Sequence, residues 1–183
     1  MNSPPQWQFV GSAPENCGRY LVPSIFASSG EDPVEMAALR PGERVLDIAC
    51  GTGIVARIAA RKLRGSGRVL GLDLSAPMLQ AARAAAAAEG MAVEWWEAGA
   101  AKLPIADAAF DVAFCQQGLQ FFPDRVIALR EMYRVLRPGA VAGQRMGSNK
   151  AKPGACGSSR SFGVAYWFRR RPAVCLHSEH VRI

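Results

Sequence analysis

A short apolar segment that ends in a glycine turn constrains this sequence most. Residues 44–49, Arg-Val-Leu-Asp-Ile-Ala, have the length and composition of a buried strand, and Gly51-Thr-Gly53 interrupts them. Helical spacing then continues from Ile54 to Leu63. A buried strand joined to a helix by a glycine turn is the first half of a strand–helix–strand unit, which favours a parallel sheet.

The same rhythm of strand and helix continues along the chain. Its predicted elements are strands at 68–72, 92–96, 110–115 and from 140 onward, and helices at 32–39, 75–88 and 124–136. Arg137-Pro-Gly139 predicts a turn before the fifth strand. Strands separated by helices predict an α/β fold, which is a doubly wound, mostly parallel, Rossmann-like sheet with helices on both faces.

The net charge of +7 lies at the end of the chain. Residues 1–142 hold 14 basic and 14 acidic residues, whereas residues 143–183 hold 8 basic residues and a single acid. We therefore expect a folded domain over 1–142 and a basic, poorly ordered tail over 143–183. Charge confined to such a tail is typical of solvated chain, so no nucleic-acid partner is expected.

The cysteines and the apolar runs indicate the cellular compartment of the protein. The five cysteines are scattered and form no Cys-x-x-Cys pair, which argues against a disulfide framework or a zinc site and fits a reducing cytoplasm. No apolar run reaches the ~18 residues that a membrane-spanning helix needs. The first ten residues carry no basic residue, unlike a secretory signal. We expect a cytoplasmic protein without a membrane span.

Candidate binding residues follow the predicted strands, because ligands of parallel sheets bind at the carboxyl ends of the strands. Asp47 to Gly53 end the first strand, and their glycines allow a ligand to approach the backbone closely. The next helix directs its free N–H groups and positive end at the same place. Asp73, 20 residues after Gly53, can accept hydrogen bonds from both hydroxyls of a ribose. Together they predict a nucleoside site.

Spacing alone leaves the nucleoside cofactor open. Gly51-x-Gly53-x-x-Ala56 also satisfies the loose dinucleotide fingerprint of NAD-binding proteins. Asp47 favours a different ligand, because a carboxylate four residues before the first glycine would repel a pyrophosphate. It suits a ligand with an ammonium and a sulfonium, such as S-adenosylmethionine (SAM). A hydrogen-bonded polar group at a strand end is the alternative interpretation of Asp47.

Five ordered segments carry a family likeness, at residues 45–53, 71–79, 103–114, 115–124 and 136–139. Together they resemble class I SAM-dependent methyltransferases, in particular the subgroup typified by ubiquinone and menaquinone C-methyltransferases. Tyr20-Leu-Val-Pro23 is similar to the entry segment of that subgroup. The resemblance covers roughly residues 19–142 and implies a methyltransferase that uses SAM as cofactor and a small molecule as methyl acceptor.

The resemblance also implies roles around the methionine part of SAM. Gly51 and Gly53, with Ala49 in the same turn, would come close to the methionine chain. Asp47 would act on its amino group through water. Backbone carbonyls around Cys115 and Gln116 would accept hydrogen bonds from the same ammonium.

A second set of roles concerns the adenosine part. Asp73 would hold the ribose hydroxyls, and Leu74 and Met78 would enclose the adenine, with ordinary helix core as the alternative for Met78. Ala100 and Ala101 would present backbone groups to the adenine edge. Tyr20 would close the site from the N-terminal segment, with a core tyrosine as the alternative.

The chain departs from the family pattern in two places. An Asp usually occupies the position of Gly99 and binds the adenine amino group, so cofactor binding here should be weaker by about 1.5–3 kcal/mol. After Ala142 the likeness ends, where relatives continue into a final antiparallel hairpin. We interpret the tail as a truncated or frame-shifted terminus. Loss of the hairpin would leave the fifth strand as an exposed edge, open to self-association. Residues 161–168 and 173–176, divided by Arg169-Arg-Arg-Pro172, could alternatively imitate the hairpin.

Three functional hypotheses follow from these residues. The first is a SAM-dependent methyltransferase acting on a small molecule, the second a non-catalytic SAM- or nucleotide-binding remnant, and the third an NAD-binding Rossmann protein. No catalytic acid or base is identified, and Cys175, His177 and His180 are not expected to hold a metal. Trp95 and Trp96 should point to opposite faces of their strand and serve packing.

Overall fold

The computed structural model describes residues 27–147 and 163–169. Its helices are α1 (Ala27–Ala37), α2 (Ile54–Leu63), α3 (Ala76–Ala88) and α4 (Arg125–Val135), with a 3₁₀ turn at Leu119–Phe121. Its strands are β1 (Arg44–Ile48), β2 (Arg68–Asp73), β3 (Glu94–Glu97), β4 (Phe110–Gln116), β5 (Leu136–Gly147) and β6 (Gly163–Arg169).

The described strands form one sheet with the order β3-β2-β1-β4-β5-β6. β1 to β5 are parallel, and β6 is antiparallel to β5. The order reverses between β1 and β4, so a crevice opens at their carboxyl ends. The predicted α/β, Rossmann-like, mostly parallel sheet is confirmed.

Apolar side chains pack on both faces of the sheet. On one face Val34 of α1 and Val55 and Ile58 of α2 pack against β1, β2 and β4. On the other face Met132 and Val135 of α4 pack against β4 and β5. The inner strands are buried on both sides, which explains why they are continuous apolar runs in the sequence.

Capping residues place two helices where the sequence predicts them. The Ser75 hydroxyl accepts from the Met78 N–H at 3.5 Å at the start of α3. The Asp124 carboxylate accepts from the Ile127 N–H at 2.9 Å at the start of α4. Each side chain satisfies an N–H that the helix itself leaves without a partner.

The first helix begins earlier than predicted. α1 starts at Ala27 instead of Asp32, and Pro33 lies inside it. Gly30, in the added turn, is buried and packs closely on α2, since a Cβ there would lie 3.2 Å from Ile58 Cδ1. This tertiary contact outweighs the local preference of proline for the first turn of a helix.

The sheet continues beyond the predicted elements at its far edge. The turn expected at Arg137–Gly139 lies within β5, where the pairing with β4 shifts between Phe110 and Val112 and Gly139 has φ +86°. β5 runs past Ala142 and pairs with β6 from Val141↔Arg169 to Gly147↔Gly163. β6 overlaps the first of the two segments considered for the hairpin imitation, 161–168, and covers the β5 edge that was expected to be exposed. The second segment, 173–176, lies outside the described residues.

None of the helices that the structure describes has the length and hydropathy to cross a bilayer.

Candidate functional site

The carboxyl ends of β1 and β2 are tied together by hydrogen bonds. The Cys50 N–H donates to the Leu72 carbonyl at 3.0 Å, and the Gly51 N–H donates to Asp73 Oδ2 at 2.8 Å. Within the turn, the Gly53 N–H donates to the Cys50 carbonyl at 2.8 Å. The glycine turn and Asp73 therefore form one unit at the crevice.

Asp73 presents a fixed carboxylate at the end of β2. Its Oδ1 accepts from the Ser75 N–H at 2.9 Å, and its Oδ2 accepts from Gly51. Burial raises the pKa of Asp73, and the backbone N–H groups of Ser75, Gly51 and Leu74 oppose that rise. A carboxylate has about four acceptor positions. The half-buried side chain thus retains capacity to accept from two hydroxyl groups of a ligand.

Asp47 lies deeper, beneath the start of α2. The residue is 1% exposed, and its Oδ2 accepts from the Ala56 N–H at 3.0 Å. Ala56 is the third residue of α2, and the N-cap position belongs to Gly53, which has no side chain to cap the helix. Asp47 takes over that capping role from the neighbouring strand. This geometry agrees with the alternative interpretation of Asp47 as a hydrogen-bonded polar group.

The environment of Asp47 favours its neutral form. Burial raises the pKa of Asp47 to about 8; the Ala56 N–H lowers it, and the nearby charge of Asp73 raises it further. In the absence of a cation, the carboxyl group is therefore largely protonated at neutral pH.

The two glycines of the turn have different surroundings. Gly51 has φ +54°, and a Cβ there would meet no atom within 4 Å. Gly53 has φ +76°, but a Cβ there would lie 2.7 Å from Trp95 Cζ3 and 3.1 Å from the Ala82 Cβ. Open space for a ligand therefore lies at Gly51, whereas the space at Gly53 is filled by the protein.

The end of β4 closes the crevice beside β1. The Cys115 side chain is buried, which raises the pKa of its thiol to about 12 and keeps it protonated. The Gln116 Nε2 atom is buried and has no hydrogen-bond partner among the described residues. Gly118, which the sequence analysis missed, is packed so closely that a Cβ there would lie 2.7 Å from the Ala49 Cβ. Its place in the segment at 115–124 was the available signal.

The loop after β3 lines the side of the crevice opposite the end of β4. The Ala98 N–H donates to the Asp73 carbonyl at 3.0 Å, and a Cβ on Gly99 would lie 3.8 Å from Leu74 Cδ1. Ala100 is half-buried and Ala101 is exposed. Leu74 and Gly99 thus lie side by side at the end of β2. Met78 is 3% exposed, which agrees with the helix-core alternative.

A charged clamp, which the sequence analysis missed, holds this loop against α4. Arg134 donates to the carbonyls of Ile105 at 2.7 Å and Leu103 at 3.1 Å. It also pairs with Glu131 and Asp107, each at 2.7 Å. Glu131 in turn accepts from the Leu103 N–H at 2.8 Å. The only signal in the sequence was the position of Arg134 just before the segment at 136–139.

Replacing Arg134 with alanine should loosen the loop between β3 and β4. Several hydrogen bonds to a charged group are lost from a partly exposed position, so we expect a loss of roughly 2 kcal/mol of unfolding free energy. Urea unfolding measures the loss, and limited proteolysis should cut within residues 98–109. Arg130→Ala, at an exposed position of the same helix, is the matched control. Equal stability of the two variants would contradict the clamp.

Some predicted positions lie outside the described residues. Tyr20, Cys175, His177 and His180 are among them. Within 27–147 and 163–169 no group of three or more His, Cys, Asp and Glu side chains could hold a metal ion. The structure brings together Asp47, Ala49, Gly51, Asp73, Leu74, Gly99, Ala100, Cys115 and Gln116 around the crevice, with Gly53 and Met78 packed behind it.

Comparison with known proteins places these elements in a family. Residues 45–139 match the family described as "Methyltransferase domain". The 2-phytyl-1,4-naphtoquinone methyltransferase of Synechococcus elongatus is 40% identical over 111 residues, which are 60% of this chain and 48% of that protein. The demethylmenaquinone methyltransferase of Lactiplantibacillus plantarum is 41% identical over 104 residues, 56% of this chain and 44% of that protein.

A solved structure gives the same likeness in three dimensions. A SAM-dependent methyltransferase of Methanosarcina mazei has a TM-score of 0.57 and 29% identity, and the match covers 63% of this chain and 57% of that one. The chain spans about half the length of the curated relatives it matches.

Proposed function

The chain belongs to the methyltransferase-domain family, and from this premise we propose that it transfers the methyl group of SAM to a small-molecule acceptor. One observation carries the proposal. The carboxylate of Asp73 is fixed by the Gly51 N–H at 2.8 Å, directly beside the open face of that glycine. A ribose-binding group and a backbone surface free for close approach thus stand side by side.

The residues present fit SAM in three respects. A Cβ at Gly51 would meet no atom within 4 Å, so the turn leaves room for the methionine chain. Asp73 has acceptor capacity for the ribose hydroxyls, and Leu74, beside Gly99, offers apolar surface for the adenine. The buried carboxyl group of Asp47, four residues before Gly51, disfavours the pyrophosphate of NAD once it is ionised, and a cationic ligand favours that ionised form.

The mechanism rests on position. When bound, SAM would supply an electrophilic methyl group on a sulfonium. The acceptor atom would take the methyl group in line, and the sulfonium would leave as a neutral thioether. The residues of this chain bind and orient: Asp73 holds the ribose end, Gly51 allows close approach, and the protonated thiol of Cys115 offers no competing nucleophile. No described residue is assigned as catalytic acid or base, so the acceptor must bring its own nucleophilic atom.

We propose a quinone-type acceptor, such as the reduced form of a naphthoquinone. Support comes from the names of two relatives, a 2-phytyl-1,4-naphtoquinone methyltransferase and a demethylmenaquinone methyltransferase. A reduced quinone carries electron-rich ring carbons that can take the methyl group, and the ring hydrogen that the methyl replaces leaves as a proton to solvent. A cytoplasmic setting, without a nucleic-acid partner, belongs to the same proposal.

Isothermal titration of the full chain with SAM, S-adenosylhomocysteine and NAD tests the cofactor. We expect binding of the first two and none of NAD. Binding of NAD alone would overturn the proposal. Transfer of labelled methyl from SAM to a reduced naphthoquinone then tests the reaction.

A non-catalytic SAM-binding protein is the second candidate. It shares the cofactor site at Gly51 and Asp73 with the first candidate and lacks only the transfer step. Binding of SAM without transfer to any reduced quinone, by chain that is folded by circular dichroism, would select it.

Replacing Gly99 with aspartate should strengthen SAM binding roughly 10-fold or more. The family places an Asp there against the adenine amino group, and a hydrogen bond to a charged group contributes about 1.5–3 kcal/mol. The added Cβ meets only Leu74 Cδ1 at 3.8 Å, so the change causes no clash. Titration measures the affinity, and Ala92→Asp, at an exposed position just before β3, is the control. Unchanged affinity would show that a side chain at position 99 does not contact the adenine.

A further inference from the structure

The indole ring of Trp95 lies across two glycines of neighbouring elements. A Cβ on Gly71 would lie 2.5 Å from Trp95 Cε3, and a Cβ on Gly53 would lie 2.7 Å from Trp95 Cζ3. Both distances are shorter than real Cβ contacts allow, so the ring touches both backbones. Trp95 therefore bridges the middle of β2 and the glycine turn.

Sheet register explains how the ring reaches both places. Trp95 on β3 is the register partner of Gly71 on the adjacent parallel strand β2. An aromatic side chain commonly covers a glycine on the neighbouring strand, because the missing side chain leaves a flat surface for the ring. The far edge of the ring then extends beyond β2 to Gly53, at the N-cap of α2.

The two glycines differ in what they require. Gly53 has φ +76°, a conformation that favours glycine by itself, whereas the backbone of Gly71 lies outside the left-handed region. At position 71 the ring makes the closest contact with the place that a Cβ would take, and the Cys50 Sγ, 3.2 Å from a Cβ there, adds a second and looser one. The Arg83 side chain also donates to the Trp95 carbonyl at 3.2 Å, which ties this residue to α3.

We propose that Trp95 is a positioning residue for the cofactor, which holds the turn at residues 50–53 from behind. The ring fills the space at Gly53. It thereby keeps the open face of Gly51 directed at the crevice and the Gly51 N–H hydrogen-bonded to Asp73. The role rests on the proposed SAM binding. Contact with the Trp95 ring also leaves no room for a side chain at position 53 or 71. Both glycines therefore contact protein and not ligand.

Replacement of the ring tests this role. Trp95→Phe keeps an aromatic side chain over Gly71 but has no second ring to reach Gly53. We expect its SAM affinity to fall at least 10-fold while its melting temperature stays within a few degrees of the parent chain. Trp96→Phe, on the same strand with its side chain 37% exposed, is the matched control and should bind SAM as the parent does.

A compensating pair makes the test independent of simple destabilisation. Gly71→Ala places a methyl group against the ring and should lower SAM affinity at least 10-fold. In a Trp95→Leu background, which frees that space, the same Gly71→Ala change should alter affinity less than 2-fold. An equal effect of Gly71→Ala in both backgrounds would overturn the proposal.

Two further outcomes separate this inference from the function beneath it. If the parent chain binds no SAM, the proposed function fails and this role fails with it. If the parent binds SAM and Trp95→Phe binds equally well, only the positioning role is overturned. Quenching of tryptophan fluorescence by SAM that persists in Trp96→Phe and is lost in Trp95→Phe would support the role. Quenching that is unchanged in Trp95→Phe would count against it.

Discussion

Replacing Asp73 with alanine is expected to lower SAM affinity roughly 100-fold or more. Its carboxylate is available to two ribose hydroxyls, and each hydrogen bond to a charged group contributes about 1.5–3 kcal/mol. The same change leaves the Gly51 N–H without its acceptor at 2.8 Å, so the glycine turn loosens as well. Titration with SAM measures the loss.

Two companion variants show where the effect comes from. Asp73→Asn keeps an acceptor for one backbone N–H and should lose less affinity than Asp73→Ala. Asp124→Ala removes a carboxylate that caps α4 and should lower stability by about 1 kcal/mol without changing SAM affinity. A folded Asp73→Ala chain that binds SAM as tightly as the parent would remove Asp73 from the site.

The parts of the fold that could be predicted depend on neighbours in the sequence. The apolar run at 44–49 and the glycine turn identified β1 and the start of α2. Asp124 identified the start of α4, because a cap acts within one helical turn. Asp73 was predicted as a site residue because strand ends of a parallel sheet meet at one edge.

The parts that were missed depend on residues far apart in the sequence. The contact of Trp95 with Gly53 spans two helices and the strand between them, and no local pattern distinguishes a glycine that meets a ligand from one that meets a ring. The Arg134 clamp joins α4 to carbonyls about 30 residues earlier. The early start of α1 likewise depends on Gly30 against Ile58, a tertiary contact that overrides the local proline signal.

The capping carboxyl group of Asp47 is expected to make stability fall as pH rises. Its pKa is about 8 in the folded chain against 3.8 for a solvent-exposed aspartate, so the folded state holds a proton that the unfolded state releases. The stabilisation is fully present below pH 4 and is lost progressively as pH rises to about 8. Since one pKa unit corresponds to about 1.4 kcal/mol, the whole effect is on the order of 5 kcal/mol.

Urea unfolding between pH 5 and pH 8, without ligand, measures this dependence. Asp47→Asn keeps an oxygen for the Ala56 N–H but cannot ionise, so its stability should change much less over that range. Asp124→Asn, at an exposed cap, should keep the slope of the parent. The buried thiols of Cys50 and Cys115 also have raised pKa values, and a limit of pH 8 keeps them protonated in both states. Equal slopes for the parent and Asp47→Asn would contradict the assignment.

A cationic cofactor should reverse the protonation of Asp47. The ammonium and sulfonium of SAM stabilise the carboxylate, so binding at pH 7 should release a proton to the solvent. Asp73, Cys50 and Cys115 face the same region, and of these only Asp73 brings a negative charge that opposes the release. Titration in phosphate and in Tris, whose ionisation enthalpies differ, counts the protons. On binding SAM the parent chain should release a fraction of a proton, and the Asp47→Asn chain should not release it. Identical heats in both buffers for the parent would contradict this prediction.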